Sequence, residues 1–279
     1  MKVTVIGCGT TWSERATSSY CINNNILVDA GEGTLKNYKK AKVDFFAIKH
    51  IFITHLHTDH TTAIFHHIYD IACKREHDNN FERQLFVYGP KGTKKYFKKM
   101  IDLIMTSFRK YDFSSFLHIE EISDFNKQIE VENLKITPFK LKHGNLIDIG
   151  YVFEDEKTSV GFSGDCILTK NLENFVKTPK NLFLECCVMQ TDKSHLGYND
   201  YIKFTKKYPN KNFLAIHCPD KVYNSAKKLK IKLAKECTTY YFEDWVCSIF
   251  FCFIFGYIWC RKIVLEIIII IKILQAKFT

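Results

Sequence analysis

Short apolar strands alternate with helical stretches in both halves of the chain, and polar residues recur just past the strand ends. That pattern predicts a layered α/β protein with its site along the sheet edges. A third observation locates the site. His55-Leu56-His57-Thr58-Asp59-His60 follows the apolar run Ile51-Phe52-Ile53-Thr54, which reads as a buried strand. Positions 55, 57 and 59 would leave one side of an extended segment, and His60 opens a helical pattern running from Thr61 to Ala72. Three imidazoles and a carboxylate are too many for one metal at one turn, so two ions would divide them. The bland alternative is a polar loop that happens to hold three histidines.

The elements follow in order. Val3 to Ile6 reads as a strand before the tight turn Gly7-Cys8-Gly9-Thr10. Ser18 to Ile22 and Ile26 to Asp29 form a hairpin across Asn23-Asn24-Asn25. Asp29-Ala30-Gly31-Glu32-Gly33-Thr34 then leads into a lysine-rich helix ending near Lys42. Its two glycines could cradle a phosphate, but a lone G-x-G favours the plainer reading of a strand-to-helix turn beside the site. Gln84 to Tyr88 is strand-like, Gly89-Pro90-Lys91-Gly92 turns, and Thr93 to Met105 has helical periodicity. The lysines on that helix read as a solvated face before a phosphate-binding one. Leu134 to Leu141 alternates like a strand and delivers His143-Gly144. Ile149 to Phe153 and Ser159 to Phe162 pair across Glu154-Asp155-Glu156-Lys157 and lead into Ser163-Gly164-Asp165-Cys166. Leu182 to Glu185 and Asn212 to His217 are two more buried strands, the second again ending in a histidine.

At 279 residues, 46% hydrophobic and 25% charged, the chain is ordinary for a globular protein with a sizeable core. A formal charge of +10 suits a polyanionic partner such as nucleic acid, although a general Lys bias also produces it. The eleven cysteines hold no C-x-x-C pair, and the chain runs from Met1 straight into a strand without a signal peptide. They read as reduced, mostly buried thiols in a cytoplasmic protein.

The stretch after residue 243 departs from this pattern. We divide the chain into a domain over residues 1–243 and a hydrophobic tail over residues 244–279. The tail's first apolar run, Val246 to Cys260, is shorter than the ~18 residues of a confident membrane span. It reads as a membrane anchor through residues 246–273, as a docking helix, or as sequence that is not native coding sequence. The last is favoured because the enzyme-like pattern stops abruptly.

Three further ligand candidates, His143, Asp165 and His217, sit at strand ends beside small or turn residues. With them the count is complete for two ions. His55, His57 and His143 would hold one, Asp59, His60 and His217 the other, and Asp165 would bridge. An all nitrogen and oxygen set suits two Zn2+, with Mn2+ or Fe2+ as alternatives. Cys166 and Cys218 adjoin ligands but point the other way along a strand and read as packing.

The order H-x-H-x-D-H, a lone His, Ser-Gly-Asp and a late His resembles the metallo-β-lactamase superfamily, and within it the ribonuclease Z-like branch. Asp29 to Thr34 is similar to that branch's Asp-Cys-Gly-Glu-Gly-Thr, Tyr88-Gly89-Pro90 to its Tyr-Gly-Pro, and Ile149-Gly150-Tyr151 to its Leu-Gly-Tyr. The likeness implies a four-layer αββα sandwich and a dinuclear site on the residues above. It also implies a carboxylate at Glu185, where Leu184, Cys186 and Cys187 replace the rest of a His-Glu-Ala-Thr motif. It implies a proton-donating histidine at His195, followed here by Leu196-Gly197 in place of Ser-Thr. Such a carboxylate would orient the imidazole and keep it protonated. His50, His66, His67, His77 and His118 match nothing in the family. The long arm that grips tRNA in ribonuclease Z proper has no counterpart, since only a tight hairpin separates Tyr151 from Asp165.

The expected function is therefore a dinuclear metal-dependent hydrolase, a phosphodiesterase or nuclease acting on RNA, with tRNA 3′ processing and a homodimer implied by the resemblance. Asp59 would take a proton from the attacking water. The alternative is a metallo-hydrolase of a small cyclic phosphodiester, a thioester or a lactone. A non-catalytic, tail-anchored binding protein is the reading a complete ligand set argues against.

Overall fold

The computed structural model describes residues 1–78, 80–108 and 112–243. The chain runs β1 (Lys2–Gly7), β2 (Ser19–Ile22), β3 (Ile26–Ala30), α1 (Thr34–Ala41), β4 (His50–Phe52), α2 (Thr58–Thr61), α3 (Ile64–His77), β5 (Leu85–Pro90), α4 (Thr93–Ile104) and β6 (Leu117–Ile122). It continues through β7 (Ile129–Val131), β8 (Leu134–His143), β9 (Leu146–Glu154), β10 (Ser159–Phe162), α5 (Lys170–Lys177), β11 (Asn181–Glu185), α6 (Tyr198–Lys207), β12 (Asn212–Ile216), α7 (Asp220–Leu229) and β13 (Thr238–Tyr241).

Side-chain alternation decides how these elements stack. Phe52 packs with Val3, Val5, Val28, Tyr151, Phe162 and Phe183 in one core, whereas its neighbours Ile51 and Ile53 join Ile64, Ile68, Phe97 and Ile101 in another. In the second half Phe183 faces the first of these cores, while Leu182 and Leu184 pack on Leu172, Phe175, Tyr201 and Val222 in a third. A strand that is apolar on both faces must be covered on both, because successive residues point to opposite sides. Two sheets therefore share a central core and each carries a helical outer layer, an αββα sandwich. Each fully buried Phe, Leu or Ile contributes about 1.5–3 kcal/mol of burial, so the sandwich does not depend on any single contact.

The first sheet has the order β13-β1-β2-β3-β4-β5-β6 and the second β12-β11-β10-β9-β8-β7. β3, β4, β5 and β6 run parallel, as do β10, β11 and β12, so their carboxyl ends gather at common edges. Ligands in such sheets bind outside the carboxyl ends of the strands. The Asn23-Asn24-Asn25 connection makes the hairpin turn expected of it, with φ of 45° at Asn23 and 70° at Asn24. β8, β9 and β10 also form as the alternation predicts, joined by residues 155–158.

Two readings need correction in detail. Thr58-Asp59-His60-Thr61 is a helical turn, so the extended spacing holds for His55 and His57 and stops before Asp59. The histidine helix accordingly starts at Thr58 and restarts at Ile64, not at Thr61. β6, β7, β13 and the helices α5 to α7 carry no signal strong enough to have been read beforehand. β6, for example, is Leu-His-Ile-Glu-Glu-Ile, with only its first and last residues buried. The tail at residues 244–279 lies outside the described residues, and the reading of it stays with the sequence. Among the described residues no helix is long and apolar enough to cross a membrane.

Candidate metal centre

Four stretches of the chain bring the predicted residues to one edge of the sandwich. His55 and His57 follow β4, Asp59 and His60 lie on α2, His143 ends β8, Asp165 follows β10, and His217 follows β12. Asp165 sits among them. Its Oδ2 lies 3.2 Å from His217 Nε2, 3.9 Å from His143 Nε2 and 4.0 Å from His55 Nε2, and its Oδ1 lies 3.4 Å from His60 Nε2. His55 Nε2 and His57 Nδ1 converge at 3.0 Å, and Asp59 Oδ2 is 3.9 Å from His60 Nε2. Donor atoms cluster as His55–His57–His143, as His55–His60–Asp165 and as Asp59–His60–His217. The first and last of these are the two groups of side chains expected from the sequence to lie together, and Asp165 sits between them.

The donor chemistry fits a divalent cation. His60 Nε2 and Asp165 Oδ1 are buried without a well-formed hydrogen bond. An unsatisfied buried polar atom costs roughly 1–3 kcal/mol unless something else completes it. Burial, ahead of its neighbours' charges, pushes the His55 imidazole well below its usual range, and pushes His217 down to about 4. The His55 ring is therefore neutral, with a lone pair to offer. Burial opposes charge on Asp165, but His217 and His60 override it and hold the carboxyl well below its usual range.

The inward aim of each ring is set by what its other nitrogen bonds. His60 Nδ1 donates to Asp29 Oδ2 at 2.7 Å, His55 Nδ1 pairs with Asp148 Oδ2 at 3.0 Å, and His143 Nδ1 donates to the Ser194 carbonyl at 2.6 Å. Each leaves Nε2 facing the cleft, as outer partners of metal-binding histidines do. Asp29 is fixed in turn by the Thr54 amide and hydroxyl, and Thr11 Oγ1 donates to Asp59. Sequence reasoning placed Asp29 in a motif without giving it this role and missed Asp148 altogether. An aspartate inside the apolar strand Ile147-Asp148-Ile149 was the available signal, since a buried carboxylate needs a partner. Losing the Asp29 carboxylate leaves His60 free to rotate. Asp29→Ala is expected to weaken metal binding by about 10–100-fold, measured by competition with a chelating dye.

Glycine is required at two positions here. A Cβ on Gly31 would run into the Asp59 carbonyl and the Thr17 hydroxyl, so the β3–α1 turn packs directly against the histidine loop. That is the plainer reading of the two glycines, a turn beside the site. Gly164 has φ of +61°, and a Cβ there would stand 2.6 Å from the Asp148 carboxylate. Gly31→Ala is expected to displace Asp59 and lower metal affinity while the secondary structure persists, read by metal content and circular dichroism.

His195 and Glu185 meet beside the cluster. Glu185 is fully buried, and its Oε2 accepts from the Cys166 and Leu196 amides. Its Oε1 accepts from His195 Nδ1 at 2.6 Å. Burial disfavours charge on His195, but hydrogen bonds to Cys187 and Glu185 outweigh it and lift the imidazole to about 11. His195 thus stays protonated, 3.9 Å from Asp165 and stacked toward His217. Cys166 and Cys218 are buried in the outer core of the second sheet, as packing residues are. His67 is likewise internal, bonded to the Tyr38 hydroxyl at 2.9 Å.

A four-layer sandwich with histidines and aspartates gathered at one sheet edge defines a metal-binding protein of the metallo-β-lactamase fold. Residues 24–218 match the family described as a beta-lactamase superfamily domain, and the chain belongs to that family. It is similar to the ribonuclease Z of Borrelia garinii subsp. bavariensis, 34% identical over 159 residues that cover 54% of this chain and 47% of the relative. The ribonuclease Z of Thermococcus sibiricus is 32% identical over 130 residues, covering 47% of this chain and 38% of that one. The crystal structure of the human short-form tRNase Z matches with a TM-score of 0.67 at 18% identity, covering 86% of this chain and 98% of the other. That last likeness is one of fold. The chain spans about half or less of the length of the curated relatives it matches.

Proposed function

We propose that the chain is a dinuclear metal-dependent phosphodiesterase that cleaves RNA. The observation that carries this reading is the single carboxylate of Asp165 set among four imidazole nitrogens, with His195 beside it and bonded to the buried Glu185. His55, His57 and His143 would hold one ion, Asp59, His60 and His217 the second, and Asp165 both. Nitrogen and oxygen donors of this kind favour Zn2+, with Mn2+ or Fe2+ as the other metals of matching preference. When bound, the metal pair supplies Lewis acidity that lowers the pKa of water and draws off charge developing on phosphoryl oxygens.

The chain's own residues do the rest. Asp59, held by Thr11, accepts a proton from the attacking water and aims it. Glu185 keeps the proton on His195 Nδ1 and fixes the ring, so that Nε2–H donates to the departing oxygen. The RNA assignment draws support from the ribonuclease Z relatives and from the +10 charge. tRNA 3′ processing is the particular reaction those relatives raise.

One observation favours a second substrate. Residues 155–158 are all that joins β9 to β10, so a smaller phosphodiester such as a cyclic nucleotide fits a chain with no arm there. Zinc-loaded protein incubated separately with a 3′-extended pre-tRNA and a cyclic nucleotide separates the two. Cleavage of the pre-tRNA at a defined phosphodiester supports the first reading, and turnover of the cyclic nucleotide alone supports the second. If neither is cut while a thioester or lactone is hydrolysed, the phosphodiesterase proposal is wrong.

A further inference from the structure

A second group of donors adjoins the predicted ligands, and one of its members has no part in the steps above. Glu185, Cys187, His195 and His217 each offer a ligand atom, and these atoms lie within 4.8 Å of one another. Cys187 is the unassigned member. It stands where the resemblance implies a threonine, and unlike Cys166, Cys186 and Cys218 it is only partly buried. Its sulfur lies within 4.8 Å of a ring nitrogen of His195. Its backbone is pinned to the same segment, because the Cys187 amide donates to the Leu196 carbonyl at 3.1 Å and Val188 bridges to Gly197. The sulfur is therefore held beside the imidazole by the chain itself.

We infer that Cys187, His195 and Glu185 form a third, inhibitory site for a thiophilic divalent cation such as Cd2+ or excess Zn2+. The inference concerns regulation of the site proposed above and rests on that reading for its inhibitory consequence. One thiolate, one imidazole and one carboxylate are a donor set that zinc accepts, with solvent in the remaining position. Bonds of about 2.0–2.3 Å to a tetrahedral ion place donors roughly 3.5 Å apart, so the 2.6 Å Glu185–His195 contact must open and spacings of up to 4.8 Å must close. His217 stays with the second ion, since its Nε2 already faces Asp165 at 3.2 Å.

Binding breaks the Cys187 S–H and His195 Nδ1–H bonds, leaves both electron pairs with the donors for the new metal bonds, and releases two protons to solvent. No electron transfer is involved. The ion replaces the proton that Glu185 holds on Nδ1. His195 is then a neutral, metal-bound ring whose Nε2–H is a weaker acid than that of an imidazolium, and leaving-group protonation slows.

The test begins with protein already carrying its zinc and titrates Cd2+ alone while following thiolate-to-metal charge-transfer absorption. Wild type is expected to take up one additional equivalent with that band. Cys187→Ser should lose the band, and His195→Ala should weaken the uptake by about tenfold or more, as loss of one of three donors does. In parallel, the Cd2+ concentration that halves each protein's own rate should rise about tenfold or more in Cys187→Ser. An absorption band unchanged in Cys187→Ser overturns the site, and so does uptake indifferent to His195→Ala. Cd2+ uptake through Cys187 without any phosphodiester turnover would instead count against the proposed function and leave the metal site standing.

Discussion

Replacing Asp165 with alanine is expected to cost the protein its metal and, with it, measurable phosphodiester turnover. Asp165 lies within 4.0 Å of the Nε2 atoms of His55, His60, His143 and His217, so its one carboxylate faces both halves of the cluster. Losing a mere outer partner of a ligand weakens binding by about 10–100-fold, and a shared ligand should exceed that range. The substitution also leaves His60 Nε2 without its 3.4 Å carboxylate neighbour, while Asp29 holds the far side of the ring. Metal content after dialysis and a pre-tRNA cleavage assay read the two effects, with a thermal melt to establish folding. An Asp165→Ala protein that keeps a full metal complement would remove the bridging role.

The second large effect belongs to His195. His195→Ala is expected to lower kcat by about 10²–10⁴-fold, the range for a general acid, with metal content at the wild-type level. The loss should be much smaller for a p-nitrophenyl phosphodiester, whose departing oxygen needs little help from a proton. Glu185→Gln tests the support behind His195. The amide cannot match the carboxylate's charge at the 2.6 Å contact with Nδ1, so the raised pKa of the imidazole falls. The protonated, active form then disappears at lower pH than in wild type, which keeps it up to about 11. Glu185→Gln should therefore show its alkaline loss of kcat at lower pH than wild type. A profile identical to wild type would mean that Glu185 only fills space.

Much of this was legible along the chain because the periods involved are local. β4 announces itself by Ile51-Phe52-Ile53, and its two-sided burial follows from apolar residues at consecutive positions. His143, Asp165 and His217 were readable as site residues because each stands where an apolar strand gives way to a turn. Glu185 and His195 needed the family resemblance, since neither position departs from an ordinary strand end or loop. Even the thiols were placed by alternation, with Cys166 and Cys218 facing the outer core.

The amino-acid sequence by itself determined the alternating sheets, the strand-end histidines and the identity of the donor atoms. Only the tertiary structure decided which nitrogen of each histidine faces the cleft. Asp29 reaches His60 from 31 positions away, and the Ser194 carbonyl reaches His143 from 51. Such pairings have no period to read, because they join residues far apart in the chain, and a buried carboxylate or carbonyl takes whichever N–H the packing brings to it.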